Sequence, residues 1–216
     1  MPITVLLVDD HAVVREGLRA LLATRADLCV VGEAADGIEA IAAVQQLKPD
    51  VVVMDVSMPR LNGIDATVQI RRDSPDTRVV ILSVHATSEH VFRALKAGAS
   101  GYVLKESVGQ EVVDAIRSVH AGQRFFSARI AETASPGLSQ WSEAFPARGP
   151  LDSLSLRERE VLQFVVEGWS SADIAARFQL SPKTVETYRS RIMTKLGVHD
   201  VPGLVRFAIK HGLTHE

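Results

Sequence analysis

The order of apolar and polar positions changes character twice along the chain. Through about residue 120, short β-branched runs alternate with longer stretches of helical period. The runs are "ITVLLV", "LCVVGEA", "DVVVMD", "TRVVILS" and "GYVLK". The helical stretches are "AVVREGLRALLAT", "DGIEAIAAVQQLK", "NGIDATVQIRR", "SEHVFRALKAG" and "SVGQEVVDAIRSVHAG". Strands that alternate with helices form βαβ units, whose parallel sheet is covered on both faces. Five such units predict an α/β, flavodoxin-like, doubly wound (βα)5 domain over residues 1–121.

The pattern weakens from residue 122 to 152. There "ETASPGLSQWSEAFPARGPLDS" is rich in Ser, Pro, Gly and Ala, with scattered apolar residues, and reads as an interdomain linker. Over 153–216 only helical period remains. In "SLREREVLQFVVEG", Ser155 with Glu158 three residues on forms a capping box. "SSADIAARF" follows, then "SPKTVETYRSRIMTKLG", with Ser181 as N-cap, Pro182 at the first helical position and Gly197 just past the end. A last helix spans about Pro202 to Lys210, so this region is all-α, a small four-helix bundle.

Length and composition fit this division. At 216 residues, with 46% hydrophobic and 23% charged, the chain suits two ordinary globular domains. The one cysteine, Cys29, excludes an internal disulfide and reads as a small buried residue of its strand. The N-terminus lacks a basic flank and a long apolar run, and no segment approaches membrane-spanning length, so the expected location is the cytoplasm. The net charge of −2 is unevenly spread. Residues 1–150 carry 15 basic and 18 acidic side chains, residues 151–216 carry 9 and 8, and Ser181–Leu196 has Lys183, Arg189, Arg191 and Lys195 against Glu186 alone. That segment is a candidate polyanion site.

In an open parallel sheet, ligands bind beyond the carboxyl ends of the strands, where strand order reverses. In the flavodoxin-like order that point lies between strands one and three. Strand one runs into Asp9 and Asp10, and strand three ends on Asp55. Three carboxylates crowded together call for a cation, and hard oxygen ligands suit Mg²⁺. Ser83 and Lys105 follow strands four and five, a hydroxyl and an ammonium suited to an added anionic charge. An Asp pair alone is more often a turn or helix cap; the combination of DD, D, S and K at four strand ends carries the reading.

By these residues the first region resembles the receiver domain of two-component response regulators. The resemblance implies that Asp55 is the phosphoacceptor, served by a sensor histidine kinase. It implies that Asp10, Asp55 and the main-chain carbonyl of Ser57 hold Mg²⁺, with Asp9 helping through water. Ser83 would be the switch hydroxyl, Lys105 the lysine that meets the phosphoryl group, and Tyr102 an aromatic that moves inward when Ser83 turns.

On a helical wheel, Val185, Ile192 and Leu196 share a core face of the Ser181 helix, with Tyr188 at its edge. Lys183, Thr187, Ser190 and Thr194 lie opposite, a polar face able to enter a major groove of double-stranded DNA. "LSLREREVL" and "EGWSSADIAARFQLSPKTVETYRSRIMTKLGV" resemble the LuxR-type helix-turn-helix domain, and with the receiver the chain is similar to the NarL/FixJ family. The resemblance implies base contacts from Glu186, Thr187 and Ser190, and phosphate contacts from Lys183, Thr184, Arg191 and Lys195. It also implies a homodimer on activation, through a last helix carrying Val201, Leu204, Val205 and Ala208. Two features depart from the family: Tyr188 stands where it commonly has His, and Pro202 and Gly203 open the last helix.

The expected function is a phosphorylation-controlled transcription factor, not an enzyme. Two alternatives share its residues: a receiver-fused regulator that binds DNA without phosphorylation, and a Mg-dependent phosphotransferase working through an aspartyl phosphate.

Overall fold

Every residue of Val51–Asp55 is buried, because this strand lies inside a parallel sheet with helices on both sides. The computed structural model describes residues 1–107, 109–134, 150–211 and 213. The chain divides into two units between Leu138 and Ser139.

The first unit runs β1 (Ile3–Val8), α1 (Ala12–Ala23), β2 (Leu28–Ala34), α2 (Gly37–Leu47), β3 (Val51–Asp55) and α3 (Gly63–Asp73). It continues with β4 (Arg78–Ser83), α4 (Ser88–Lys96), β5 (Gly101–Leu104), α5 (Gln110–His120), β6 (Phe125–Phe126) and α6 (Ala128–Ala134). The strand order is β2-β1-β3-β4-β5-β6, all parallel, and it reverses between β1 and β3 as expected for the flavodoxin-like arrangement. Alternate residues of each central strand point to opposite faces. Val5, Leu7, Val51, Val53, Val80 and Leu82 pack with Leu18 and Leu22 of α1 and with Val112, Ile116 and Val119 of α5. Their neighbours Leu6, Val52, Met54, Val79 and Ile81 are equally buried, so both sheet faces are dry. At about 25 cal/mol per Å² of apolar surface, this double burial is the main force holding the sheet.

Two helices start in the same way. Asp36 accepts from the N–H groups of Ile38 and Glu39 at 2.7 and 2.9 Å, and Asn62 accepts from that of Asp65 at 2.9 Å. Each cap is followed by a glycine, Gly37 or Gly63, at the first helical position.

Residues 122–134 depart from the linker reading. Phe125 and Phe126 pair with Gly101 and Tyr102, Ser127 donates to the Tyr102 carbonyl at 3.0 Å, and Ile130 is buried. Two apolar residues carry no period of their own, and only the open edge of β5 makes them a strand. The rest of that reading, over 135–149, lies outside the described residues. Cys29 also departs: β2 is an edge strand, and Cys29 is exposed on it between the buried Leu28 and half-buried Val30.

The second unit holds α7 (Leu156–Val166), α8 (Ser171–Phe178), α9 (Pro182–Leu196) and α10 (Val201–Lys210). The capping box of Ser155 and Glu158 forms, Ser181 caps α9, and Gly197 ends it at φ +65°. Phe164, Ile174, Val185, Ile192, Leu204 and Ala208 meet in the core. Asp200 caps α10 by accepting from Gly203 N–H at 2.6 Å, which places Pro202 in the first turn, where a missing N–H costs nothing. A Cβ on Gly203 would stand 2.6 Å from Val198 Cγ1, so a side chain there would force Val198 and the capping Asp200 to shift. No described helix is long and apolar enough to cross a membrane.

Candidate functional site

Strand register brings the singled-out residues of the first unit to one rim. Val8 lies opposite Met54, so Asp9 falls beside Asp55; Asp55 pairs with Leu82, and Ser83 with Leu104, just before Lys105. Lys105 Nζ stands 2.7 Å from Asp9 Oδ2 and 3.0 Å from Asp55 Oδ1, joining the ends of β1, β3 and β5. Burial pushes the Asp55 carboxyl up to about 7; Lys105 opposes the shift, while Asp9 and Asp10 add to it. Burial alone would lower the Lys105 ammonium, but Asp55 and Asp9 leave it above the ordinary lysine value.

The other oxygen of Asp55, Oδ2, is buried and has no hydrogen-bond partner among the described residues. A buried carboxylate oxygen left unpaired is costly, so this atom is suited to a ligand or an incoming group. Asp9, Asp10, His11 and Asp55 each place a possible ligand atom within 4.8 Å of the others. Their oxygens fit a hard divalent cation such as Mg²⁺. Ser57, expected to lend its carbonyl, is buried two residues past Asp55.

His11 and Gly63 belong to this site and were not anticipated. His11 Nδ1 lies 2.8 Å from Asp10 Oδ1 and 3.1 Å from Asp9 Oδ1, and its N–H donates to Asp9 at 2.9 Å. Gly63 packs so closely on the end of β3 that a Cβ there would overlap the Asp55 carbonyl oxygen. The parallel "DGIE" and "NGID" helix starts were the available signal for such a close approach.

Ser83 and Tyr102 meet through the backbone of His85. Ser83 Oγ accepts from His85 N–H at 3.1 Å, and the Tyr102 hydroxyl donates to His85 carbonyl at 2.7 Å. Tyr102 is wholly buried. Burial pushes its phenol up to about 12, with Ser83 opposing part of the shift.

In the second unit, Lys183, Thr184, Thr187, Tyr188 and Arg191 surround a surface hollow of about 350 Å³ at the start of α9. Ser190 is exposed on the same helix. Thr187 donates its hydroxyl to the Lys183 carbonyl at 3.0 Å and so keeps its oxygen for accepting. Three of the expected contact residues also bond within the domain. Lys195 Nζ is 2.6 Å from Glu158 Oε2, a buried carboxylate of α7, while the lysine side chain itself stays partly exposed. Glu186 accepts from Ser171 Oγ of α8, while Arg189 donates to Ser171 Oγ at 2.8 Å and lies 3.5 Å from Glu186. Thr184 meets the capping Ser181 hydroxyl at 2.8 Å. The dimer-helix assignment is corrected for Leu204 and Ala208, which are fully buried in this unit's own core, with Val201 packed against it. Val205 is half-buried on a different face of α10.

A carboxylate rim with its lysine and hydroxyl, joined to a helix-turn-helix, defines a DNA-binding response regulator. Residues 5–117 match the response regulator receiver domain, and residues 152–208 match the bacterial regulatory proteins of the luxR family. The chain is 41% identical over 211 residues to response regulator UvrY of Escherichia coli strain K12, covering 98% of this chain and 95% of UvrY. It is 37% identical to response regulator protein VraR of Staphylococcus aureus strain NCTC 8325, covering 99% of each chain. The solved RcsB–DNA complex superposes with a TM-score of 0.60 at 25% identity, over 98% of this chain and 99% of RcsB. The chain belongs to the NarL/FixJ family of two-component response regulators.

Proposed function

We propose that Asp55 accepts a phosphoryl group from a sensor histidine kinase and that this controls pairing of the chain on double-stranded DNA. The observation that carries the reading is Asp55 Oδ2, buried and unpartnered, while Oδ1 of the same carboxylate is held by Lys105. Asp55 Oδ2 attacks the phosphorus of the kinase phosphohistidine. The P–O bond forms, the P–N bond breaks, and its electron pair stays on the imidazole nitrogen, which takes up a proton. Asp55 must be ionised to attack, and Lys105 favours that form.

Asp9, Asp10, Asp55 and the Ser57 carbonyl would hold Mg²⁺, which when bound offsets negative charge on the carboxylates and the transferred group. Phosphorylation adds about −1.5 to −2 charge beside Lys105. Lys105 and the Ser83 hydroxyl face that charge, and a turn of Ser83 breaks its bond with His85 N–H, coupling the rim to the β4–α4 connection. In the second unit, Lys183 and Arg191 engage phosphates, while Thr187 and Ser190 face bases; two such domains read two half-sites. The solved RcsB–DNA complex, similar over nearly the whole chain, supports the DNA reading.

The test is intact-mass analysis after acetyl phosphate with Mg²⁺, followed by sedimentation with genomic fragments. One phosphoryl group per chain, absent in Asp55→Asn, is expected to accompany a shift toward dimers. Incorporation by the Asn variant would refute the assignment.

A further inference from the structure

The sheet has a second rim, at the amino ends of its strands, and the β4–β6 side of that rim gathers basic side chains. Arg78 opens β4, Ser100 precedes β5 and Arg124 precedes β6, and with Arg71 of α3 they line a hollow of about 330 Å³. That size lies near the lower end of the range for small-molecule sites. No carboxylate lines it among the described residues.

Arg71 is anchored: its Nη1 donates to the carbonyls of Pro75 and Thr77 at 2.5 and 2.8 Å. Gly98, at φ +99°, lets α3 and the end of α4 close on it, since a Cβ there would meet Arg71 Cγ at 3.0 Å. Neither the Arg78 nor the Arg124 guanidinium has a hydrogen bond or ion pair among the described residues. Burial and the nearby Arg78 charge both depress the Arg71 guanidinium, with Asp76 offsetting only part. Guanidiniums gathered with only Asp76 to offset part of their charge are a situation that an anion relieves.

The plainest competing role is helix capping, because α4 and α5 end at this rim. Each helix C-terminus carries about half a negative charge, so with the end of α3, whose last turn carries Arg71, three contribute roughly −1.5 against three guanidiniums. Arg78 and Arg124 touch no terminal carbonyl, so capping does not use them. We propose that this hollow binds a small phosphorylated anion of the diphosphate class, with Arg78 and Arg124 donating charge-assisted hydrogen bonds and Ser100 and Gln123 completing the polar wall.

The test is isothermal titration of the full chain with inorganic pyrophosphate, without divalent cation, against chloride of equal ionic strength. Saturable binding to one site is expected, weakened at least about tenfold by Arg78→Gln with Arg124→Gln. Lys183→Gln with Arg191→Gln, which empties the basic face of α9, is expected to leave it unchanged. Binding no stronger than the chloride control overturns the proposal, as does binding indifferent to Arg78 and Arg124 or lost with Lys183 and Arg191. Amide shifts of the unmodified chain give an independent readout that needs no variant to fold. Changes centred on Ser100 and Gln123 support the site, and changes centred elsewhere refute it.

Discussion

Lys195 of α9 reaches across the second unit to within 2.6 Å of the buried Glu158 of α7. Burial raises the Glu158 carboxyl, but Lys195 together with the Ser155 N–H and hydroxyl hold it below the ordinary value. α9 is thus tied to α7, the first helix of its own domain, and Lys195 braces the two.

Lys195→Gln is therefore expected to destabilise the protein, by about 1–2 kcal/mol once the half-open setting of the lysine is allowed for. A carboxyl with a depressed folded value lends stability above its unfolded value and loses it as pH falls. The difference between wild type and variant should be full near neutrality and shrink below about pH 4.5, the ordinary glutamate value. Urea melts across pH check this, and an equal difference at pH 3 would contradict it.

The sign is opposite at Asp55. Its carboxyl rises from 3.8 to about 7 on folding, so the native state holds more protons and stability falls as pH climbs through that window. Asp55→Asn should remove the slope and stabilise the receiver at pH 8 by on the order of 2 kcal/mol, less than the full shift because Lys105 loses a partner. Denaturant melts at pH 5 and pH 8 without Mg²⁺ measure it.

Gly63→Ala should cost more than 2 kcal/mol and slow phosphoryl uptake, because the new Cβ would overlap the Asp55 carbonyl. Gly17→Ala is the contrasting case. Nothing lies within 4 Å of its Cβ position in α1, so it should gain about 0.5–1 kcal/mol. Thermal melts with acetyl phosphate uptake separate the two.

For DNA, Lys183→Gln and Arg191→Gln should each weaken all sequences alike and lower the slope of log affinity against log salt by about one. Glu186→Gln should instead disturb the tie to Ser171. Binding titrations at several salt concentrations decide, and a loss confined to one sequence would place Lys183 or Arg191 on bases.

Leu204→Ala should unfold the second unit by about 2–5 kcal/mol, since the side chain is wholly buried. Val205→Lys should leave the melt almost unchanged. If α10 joins two chains, Val205→Lys should abolish dimers on DNA, which sedimentation of the phosphorylated protein would register.

Much of this molecule was legible in the order of its residues. Runs such as "VVVMD" can be buried only in a sheet covered on both faces, and caps such as Ser155 with Glu158 act within a single turn. These signals are local, so they survive without knowledge of the partner. The acid pair, Asp55, Ser83 and Lys105 were legible for a related reason: each stands at a strand end, and a parallel sheet sends every such end to one rim.

What the tertiary structure decided is which side chain meets which across elements. Glu158 and Lys195 are 37 positions apart, and no local preference says that the lysine turns inward to the carboxylate and not outward to phosphate. Leu204 and Ala208 lie on an apolar stripe that could face a second chain as well as its own core; the packing against α7 settled that. β6 exists because β5 offers it an edge. The sequence determined the elements and the chemical groups at their ends, through energies that depend on near neighbours. The fold determined their partners, because burial and pairing depend on atoms that only packing brings together.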